Sequence, residues 1–163
     1  MENAHHVGMA DLVVISAPAK LITLGLGSCI GLVIFDSTAK IAGMAHIMLP
    51  DSHGSKGSEK IGKFADIAVP AVIDEMIKKG ALKPRMKAKI AGGAQMFALP
   101  GTPTDFLAVG SRNVKETTAM LAKLGIPLMA SDTGGNKGRT VEFSTITWML
   151  SIKTLGKKET AEI

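Results

Sequence analysis

The sequence predicts an α+β fold in which helices cover a twisted sheet or a pair of sheets. Three observations lead there. Runs of β-branched and apolar residues outnumber the stretches of helical period. Those runs come as hairpins and do not alternate regularly with helices. Two neighbouring runs are apolar on both faces, the pattern of strands covered on two sides.

Val13-Val14-Ile15 reads as the core of a first strand. Ile30 to Phe35 and Ile41 to Leu49 read as two strands around the polar turn Asp36-Ser37-Thr38-Ala39-Lys40. A polar, glycine-bearing loop from Pro50 to Gly62 follows. Phe64 to Lys79 has helical period and closes on Lys-Lys-Gly, a C-terminal signal, with Pro70 expected to kink it or mark its first turn. Lys87 to Gly92 reads as a strand and Asn113 to Leu124 as a second helix closed by Gly125. Leu128 to Ser131 is strand-like, 132–139 is turn chemistry, and Thr140 to Ile152 is β-branched strand material. The length of 163 residues suits one domain with its core at about 12–152 and both termini fraying.

Composition narrows the classes. Mean hydropathy is +0.26, yet no run reaches the ~18 apolar residues of a membrane span. The first residues lack a basic region followed by an apolar stretch, so no signal peptide is expected, and neither is membrane insertion. A single cysteine suits a reducing compartment, and the expected location is the cytoplasm. The net charge of +5 favours acidic partners. The basic residues are scattered and aromatics make up 4%, so neither the stripe nor the stacking platform of a nucleic-acid binder is present. His5 and His6 fall in the terminal stretch, His53 falls in a polar loop, and no coherent metal site emerges.

Cys29 is the only cysteine, at the end of Thr23-Leu24-Gly25-Leu26-Gly27-Ser28-Cys29. It cannot form an internal disulfide, which leaves a packed small hydrophobe or a nucleophile. If Ser37-Thr38 is a two-residue turn, Asp36 pairs with Ala39 and Cys29 falls opposite His46. Directly opposed side chains share a face, with Cβ atoms about 4.5–5.5 Å apart. A slip of one residue would place them on opposite faces. An imidazole beside a thiol accepts its proton, giving a thiolate–imidazolium pair with a lowered thiol pKa. Thr23 is the candidate to orient His46, through its hydroxyl or its backbone carbonyl. The amides of Gly27, Ser28 and Cys29 are candidates to face an oxyanion. Gly25-Leu26-Gly27 also fits a phosphate loop, but lacks the third glycine and the following helix.

These motifs resemble the chemoreceptor glutamine deamidase family, CheD. The resemblance rests on the 23–29 loop and on Ala45-His46-Ile-Met-Leu-Pro50-Asp-Ser. It extends through Lys63-Phe-Ala-Asp66, Lys89-Ile-Ala-Gly-Gly-Ala-Gln-Met-Phe97, Gly110-Ser-Arg-Asn-Val114, Gly125-Ile-Pro and Asp132-Thr-Gly-Gly-Asn-Lys-Gly-Arg139, in order from about residue 12 to 150. It implies a layered α/β sandwich of stacked mixed sheets with flanking helices, related to bacterial toxins that deamidate glutamine. It implies deamidation of glutamine to glutamate in methyl-accepting chemotaxis receptors, with nucleophile Cys29, base His46 and third member Thr23. No metal or organic cofactor is expected, and a CheC-type phosphatase is an implied further partner. Two other readings stand beside it: a non-catalytic chemotaxis adaptor that binds receptors or the phosphatase, and a cysteine amidase for small molecules. The 50–62 loop is expected to border the site and touch the receptor or the phosphatase.

Overall fold

The structure, a computed structural model, describes residues 2–53, 60–96 and 108–163. In chain order its elements are β1 (Asn3–His6), β2 (Leu12–Ser16), β3 (Ala19–Leu26), β4 (Ile30–Asp36), β5 (Ile41–Ile47), α1 (Ala65–Lys78), β6 (Lys87–Gly92), α2 (Val109–Lys123), β7 (Leu128–Thr133), β8 (Arg139–Ser144), β9 (Leu150–Thr154) and β10 (Thr160–Glu162). The strands form two five-stranded sheets, β1-β3-β8-β9-β10 and β2-β5-β4-β6-β7. Each sheet is mixed: β1 and β3 run parallel in the first, β6 and β7 in the second, and every other pairing is antiparallel.

The burial pattern follows from the layering. One apolar cluster, with Leu21, Leu26, Val33, Met44, Val141 and Phe143, lies between the sheets. The other, with Ile30, Leu32, Ile34, Val69, Val72 and Leu121, lies between the second sheet and the helices. β4 and β5 are therefore buried at every position, which is why their sequences show no alternation. The first sheet is covered on one face only, and β8 accordingly alternates buried and half-exposed residues. This is the expected α+β sandwich with stacked mixed sheets.

Several elements differ from the sequence reading. The terminal segments expected to fray are strands: β1 pairs with β3, and β10 with β9. Their side chains are all exposed, so main-chain ladder bonds hold them in place and no apolar pattern announces them. The segment 19–26, read in part as loop, is the eight-residue β3. α2 starts at Val109, ahead of the expected Asn113, and Pro70 lies in the second turn of α1. β7 takes Asp132 and Thr133 from the expected turn, and Arg139 opens β8. Among the described residues no helix is long and apolar enough to cross a membrane.

The β4–β5 hairpin also differs, and this bears on the site. Asp36 is fully buried, and its carboxylate accepts hydrogen bonds from the amides of Thr38 (3.1 Å), Ala39 (3.0 Å) and Leu82 (2.9 Å) and from Nε of Arg85 (3.1 Å). Burial alone would raise its pKa. The two backbone amides of Leu82 and Ala39 and the Arg85 guanidinium outweigh burial and hold the carboxyl below its ordinary value. Satisfying this carboxylate spreads the turn over Ser37–Lys40, so Asp36 pairs with Ile41 and not with Ala39.

Candidate active site

The loop that carries Cys29 is set by a bulge in β3. Thr23 pairs with Val141 and Leu26 with Arg139, so one extra residue sits between them. Gly25, at φ 66°, supplies the left-handed turn this requires. The bulge lets Thr23 and Leu26 both face the space between the sheets, where they are 1% and 0% exposed. Beyond Leu26 the chain crosses to the second sheet. There the Gly27 carbonyl accepts from the amide of Ala94 and the Cys29 carbonyl from that of Gly93, each at 2.9 Å. A Cβ on Gly92 would run into the Cys29 carbonyl oxygen, so this close approach needs glycine there. Cys29 emerges partly buried against the inter-sheet cluster.

His46 lies on β5 and is 1% exposed. In the observed register it opposes Gly31, not Cys29 as the two-residue turn would have it. The ladder is displaced by two residues, because the turn is two residues longer than expected. A displacement of two preserves the face, so the alternation carried one residue past Ile30 puts Cys29 diagonal to His46 on the side of the sheet that faces the first sheet.

From that first sheet Thr23 reaches His46. Its Oγ1 lies 2.7 Å from Nδ1 of His46 and donates its own proton to the carbonyl of Val7 at 2.6 Å. A hydroxyl has one hydrogen. With that hydrogen given to Val7, Oγ1 accepts from His46, so Nδ1 carries the ring proton and Nε2 holds the lone pair. Of the two groups of Thr23 that could meet the ring, the hydroxyl is the one that does. Among the described residues nothing hydrogen-bonds Nε2, which is buried.

Burial acts on Cys29 and His46 in the direction of their uncharged forms. Burial pushes the Cys29 thiol above its ordinary 9.0. Burial pulls His46 below 6.5, against a weaker opposing pull from the Asp11 carboxylate. Both shifts favour the uncharged forms, opposite in direction to the lowered thiol pKa expected from sequence.

The remaining expectations fall as follows. No backbone carbonyl among the described residues takes the amides of Gly27, Ser28 or Cys29. Asn113, given no role by the sequence reading, is fully buried and donates from Nδ2 to the carbonyls of Ser28 (2.9 Å) and Met48 (3.0 Å). The signal for it was a polar residue on the inner stripe of a helix, with Gly110, Thr117 and Leu121. The Val7 carbonyl was missed with β1. His5 and His6 sit in that exposed strand. No group of three metal-ligating side chains occurs among the described residues. Of the 50–62 loop, residues 54–59 lie outside the described residues, as does Phe97. Its far end packs by the strand of His46: the amide of Gly62 donates to Ala10, whose own amide donates to the His46 carbonyl.

One sandwich thus holds a thiol loop on one sheet and an imidazole–hydroxyl pair that spans both. Comparison with known proteins makes the assignment narrower. The family model for CheD, described as CheD chemotactic sensory transduction, matches residues 48–154. A Clostridium novyi protein named "Probable chemoreceptor glutamine deamidase CheD" is 50% identical over 150 residues, covering 92% of each chain. One of the same name from Caldanaerobacter subterraneus subsp. tengcongensis is 49% identical, again over 92% of each. The "Chemoreceptor glutamine deamidase CheD" of Halalkalibacterium halodurans is 46% identical over 98% of this chain and 99% of its own. The chain belongs to the CheD family. Among solved structures, a Neisseria meningitidis protein of family-model DUF152 overlays at TM-score 0.48 with 10% identity, covering 82% of this chain and 64% of that one.

Proposed function

We propose that this protein deamidates glutamine side chains of chemotaxis receptors to glutamate, with Cys29 as nucleophile, His46 as general base and acid, and Thr23 as the residue that orients His46. The observation that carries the reading is the Thr23–His46 hydrogen bond of 2.7 Å. With the Thr23 hydrogen given to Val7, it assigns the tautomer that leaves a buried Nε2 with no hydrogen-bond partner among the described residues. The relatives named as receptor glutamine deamidases supply the substrate.

The chemistry runs in two halves. Nε2 takes the thiol proton as Sγ bonds to the carboxamide carbon, and the carbonyl electrons move to oxygen. The oxyanion faces the amides of the 27–29 loop, which bond no backbone carbonyl among the described residues. As the oxyanion collapses, the imidazolium returns its proton to the departing nitrogen, and ammonia leaves a thioester. Water, deprotonated by Nε2, then attacks the thioester. Sulfur leaves with the proton, and the side chain is glutamate. The reaction as written needs no metal or organic cofactor. Burial disfavours the charged form of both thiol and imidazole, so on this reading the proton moves with the attack and not before it. This reading places the protein in the cytoplasm with the receptor's modified segment.

The test is incubation with a purified receptor fragment and, separately, with free glutamine. Ammonia release and a gain of about one mass unit per converted glutamine are expected with the receptor alone. If no receptor glutamine gains mass, the reading is wrong. Conversion of free glutamine at the same rate would favour a small-molecule amidase.

Thr23 supplies a sharper check. Thr23→Val keeps the shape but leaves Nδ1 of His46 and the Val7 carbonyl unpaired in a buried place. The deamidation rate is expected to fall by roughly ten- to a hundredfold, the kinetic equivalent of one buried hydrogen bond. Thr23→Ser, which keeps the hydroxyl, is expected to retain most activity. Equal losses from both, in steady-state rates, would assign Thr23 to packing through its methyl group.

A further inference from the structure

We propose that Asn113 is a positioning residue for this reaction, tying the nucleophile's loop to the strand end that follows the base; the inference rests on the deamidase reading above. Its amide nitrogen donates to the Ser28 carbonyl at 2.9 Å and to the Met48 carbonyl at 3.0 Å. Ser28 immediately precedes the nucleophile, and Met48 lies two residues beyond the base. Both partners are carbonyls, which only accept, so the nitrogen of the amide must face them and both its hydrogens are used.

The need for such a tie follows from the ladder. The β4–β5 pairing ends at Ile30 opposite Ile47. Ser28 and Met48 lie past that last rung, and no backbone amide among the described residues reaches either carbonyl. Asn113 replaces the missing rung from another layer of the fold. The other fastenings of the loop, Ala94 to Gly27 and Gly93 to Cys29, run to the end of β6 and not to the strand of His46. Cys29 and His46 are diagonal neighbours and not opposed, so the angle at which the chain leaves the ladder at Ser28 sets how far the thiol stands from Nε2.

A second feature separates this from ordinary packing. Oδ1 of Asn113 is buried and has no partner among the described residues. An apolar residue of similar size would avoid that unsatisfied acceptor, so the amide is kept for what its nitrogen does. Thr117, one turn further along the same inner stripe, is also fully buried and its hydroxyl is unpartnered. It bonds neither the loop nor the strand and serves as the control.

The experiment compares Asn113→Ala, Asn113→Asp and Thr117→Ala in the intact protein with a receptor fragment as substrate. Asn113→Asp keeps the volume and removes the amide hydrogens, so it remains informative if Asn113→Ala does not fold. The readouts are kcat and KM, the urea midpoint, and the rate at which iodoacetamide alkylates Cys29 at high pH. Both Asn113 variants, under conditions where they are folded, are expected to lose about tenfold or more in kcat with KM little changed. Their Cys29 is expected to alkylate faster as the loop loosens. Thr117→Ala is expected to keep wild-type kcat and alkylation. Asn113 variants with wild-type kcat, or a Thr117→Ala loss that follows the urea midpoint in the same way, would overturn the inference while leaving the deamidase reading intact. An inactive wild type overturns that reading instead.

Discussion

Cys29→Ala is expected to abolish deamidation and to leave the fold in place. The loss follows from the mechanism. Without Sγ there is no thioester, and His46 would have to activate water directly against an unactivated amide. In hydrolases of this general design, removing the nucleophile costs about 10³-fold or much more in kcat. The fold should survive because Cys29 sits just outside the strand ladder, partly buried at the margin of the inter-sheet cluster, and its backbone carbonyl bond to Gly93 does not involve the side chain. Cys29→Ser should be nearly as inactive, since the neutral imidazole that can deprotonate a thiol during attack faces an alcohol of far higher pKa. Mass spectrometry of receptor peptides gives the answer: conversion by Cys29→Ala at the wild-type rate would remove Cys29 from the reaction. Unchanged circular dichroism and an unchanged urea midpoint show that a loss of activity is chemical.

Which parts of this site can be read from sequence depends on what holds them. The β4 and β5 runs were legible because both faces are buried, and the resulting apolar sequence has one structural meaning. Their register was not, because it hangs on Asp36. A buried aspartate that caps its own turn and also takes Leu82 and Arg85 from 46 and 49 residues away is a tertiary fact. The face survived the error because the register moved by two. β3 was harder. Its inward residues Ala19, Leu21 and Thr23 alternate with outward Lys20 and Leu24, but the bulge at Gly25 breaks the period before Leu26, and the glycines read as loop. Thr23 was nonetheless singled out beside His46, and its hydroxyl meets Nδ1 of that ring. The carbonyl that fixes its hydroxyl belongs to Val7, which follows an exposed edge strand with no apolar pattern. Asn113 showed only as a polar residue on a buried helical stripe, and the sequence alone could not say what it would meet.

His46 carries the second large prediction, and its sign can be worked out from burial. His46→Gln is expected to lower turnover by about 10²- to 10⁴-fold, the range for losing a general acid–base group. Thiol alkylation should not fall with it. In the wild type burial holds the thiol above its ordinary value, so iodoacetamide reacts slowly near neutrality and faster as pH rises, with or without His46. A preformed ion pair would instead give a plateau of alkylation at neutral pH that vanishes in the variant; that result would restore the thiolate–imidazolium site and sink the neutral one. The pH dependence of kcat/KM adds a second arm. The working form of His46 is unprotonated, and burial lowers its pKa below 6.5, so the acid limb of the wild-type profile is expected below that value. The same shift governs stability. As pH falls through 6.5 the unfolded chain takes up this proton first, and the folded chain takes it up only at lower pH. The unfolded state therefore binds more protons in that window, and stability is full above it and lost on acidification across it. His46→Gln should unfold in urea with less dependence on pH over that window than the wild type. An acid limb above 6.5 would mean that a charged group outweighs burial at His46, contrary to the direction in which burial moves the ring.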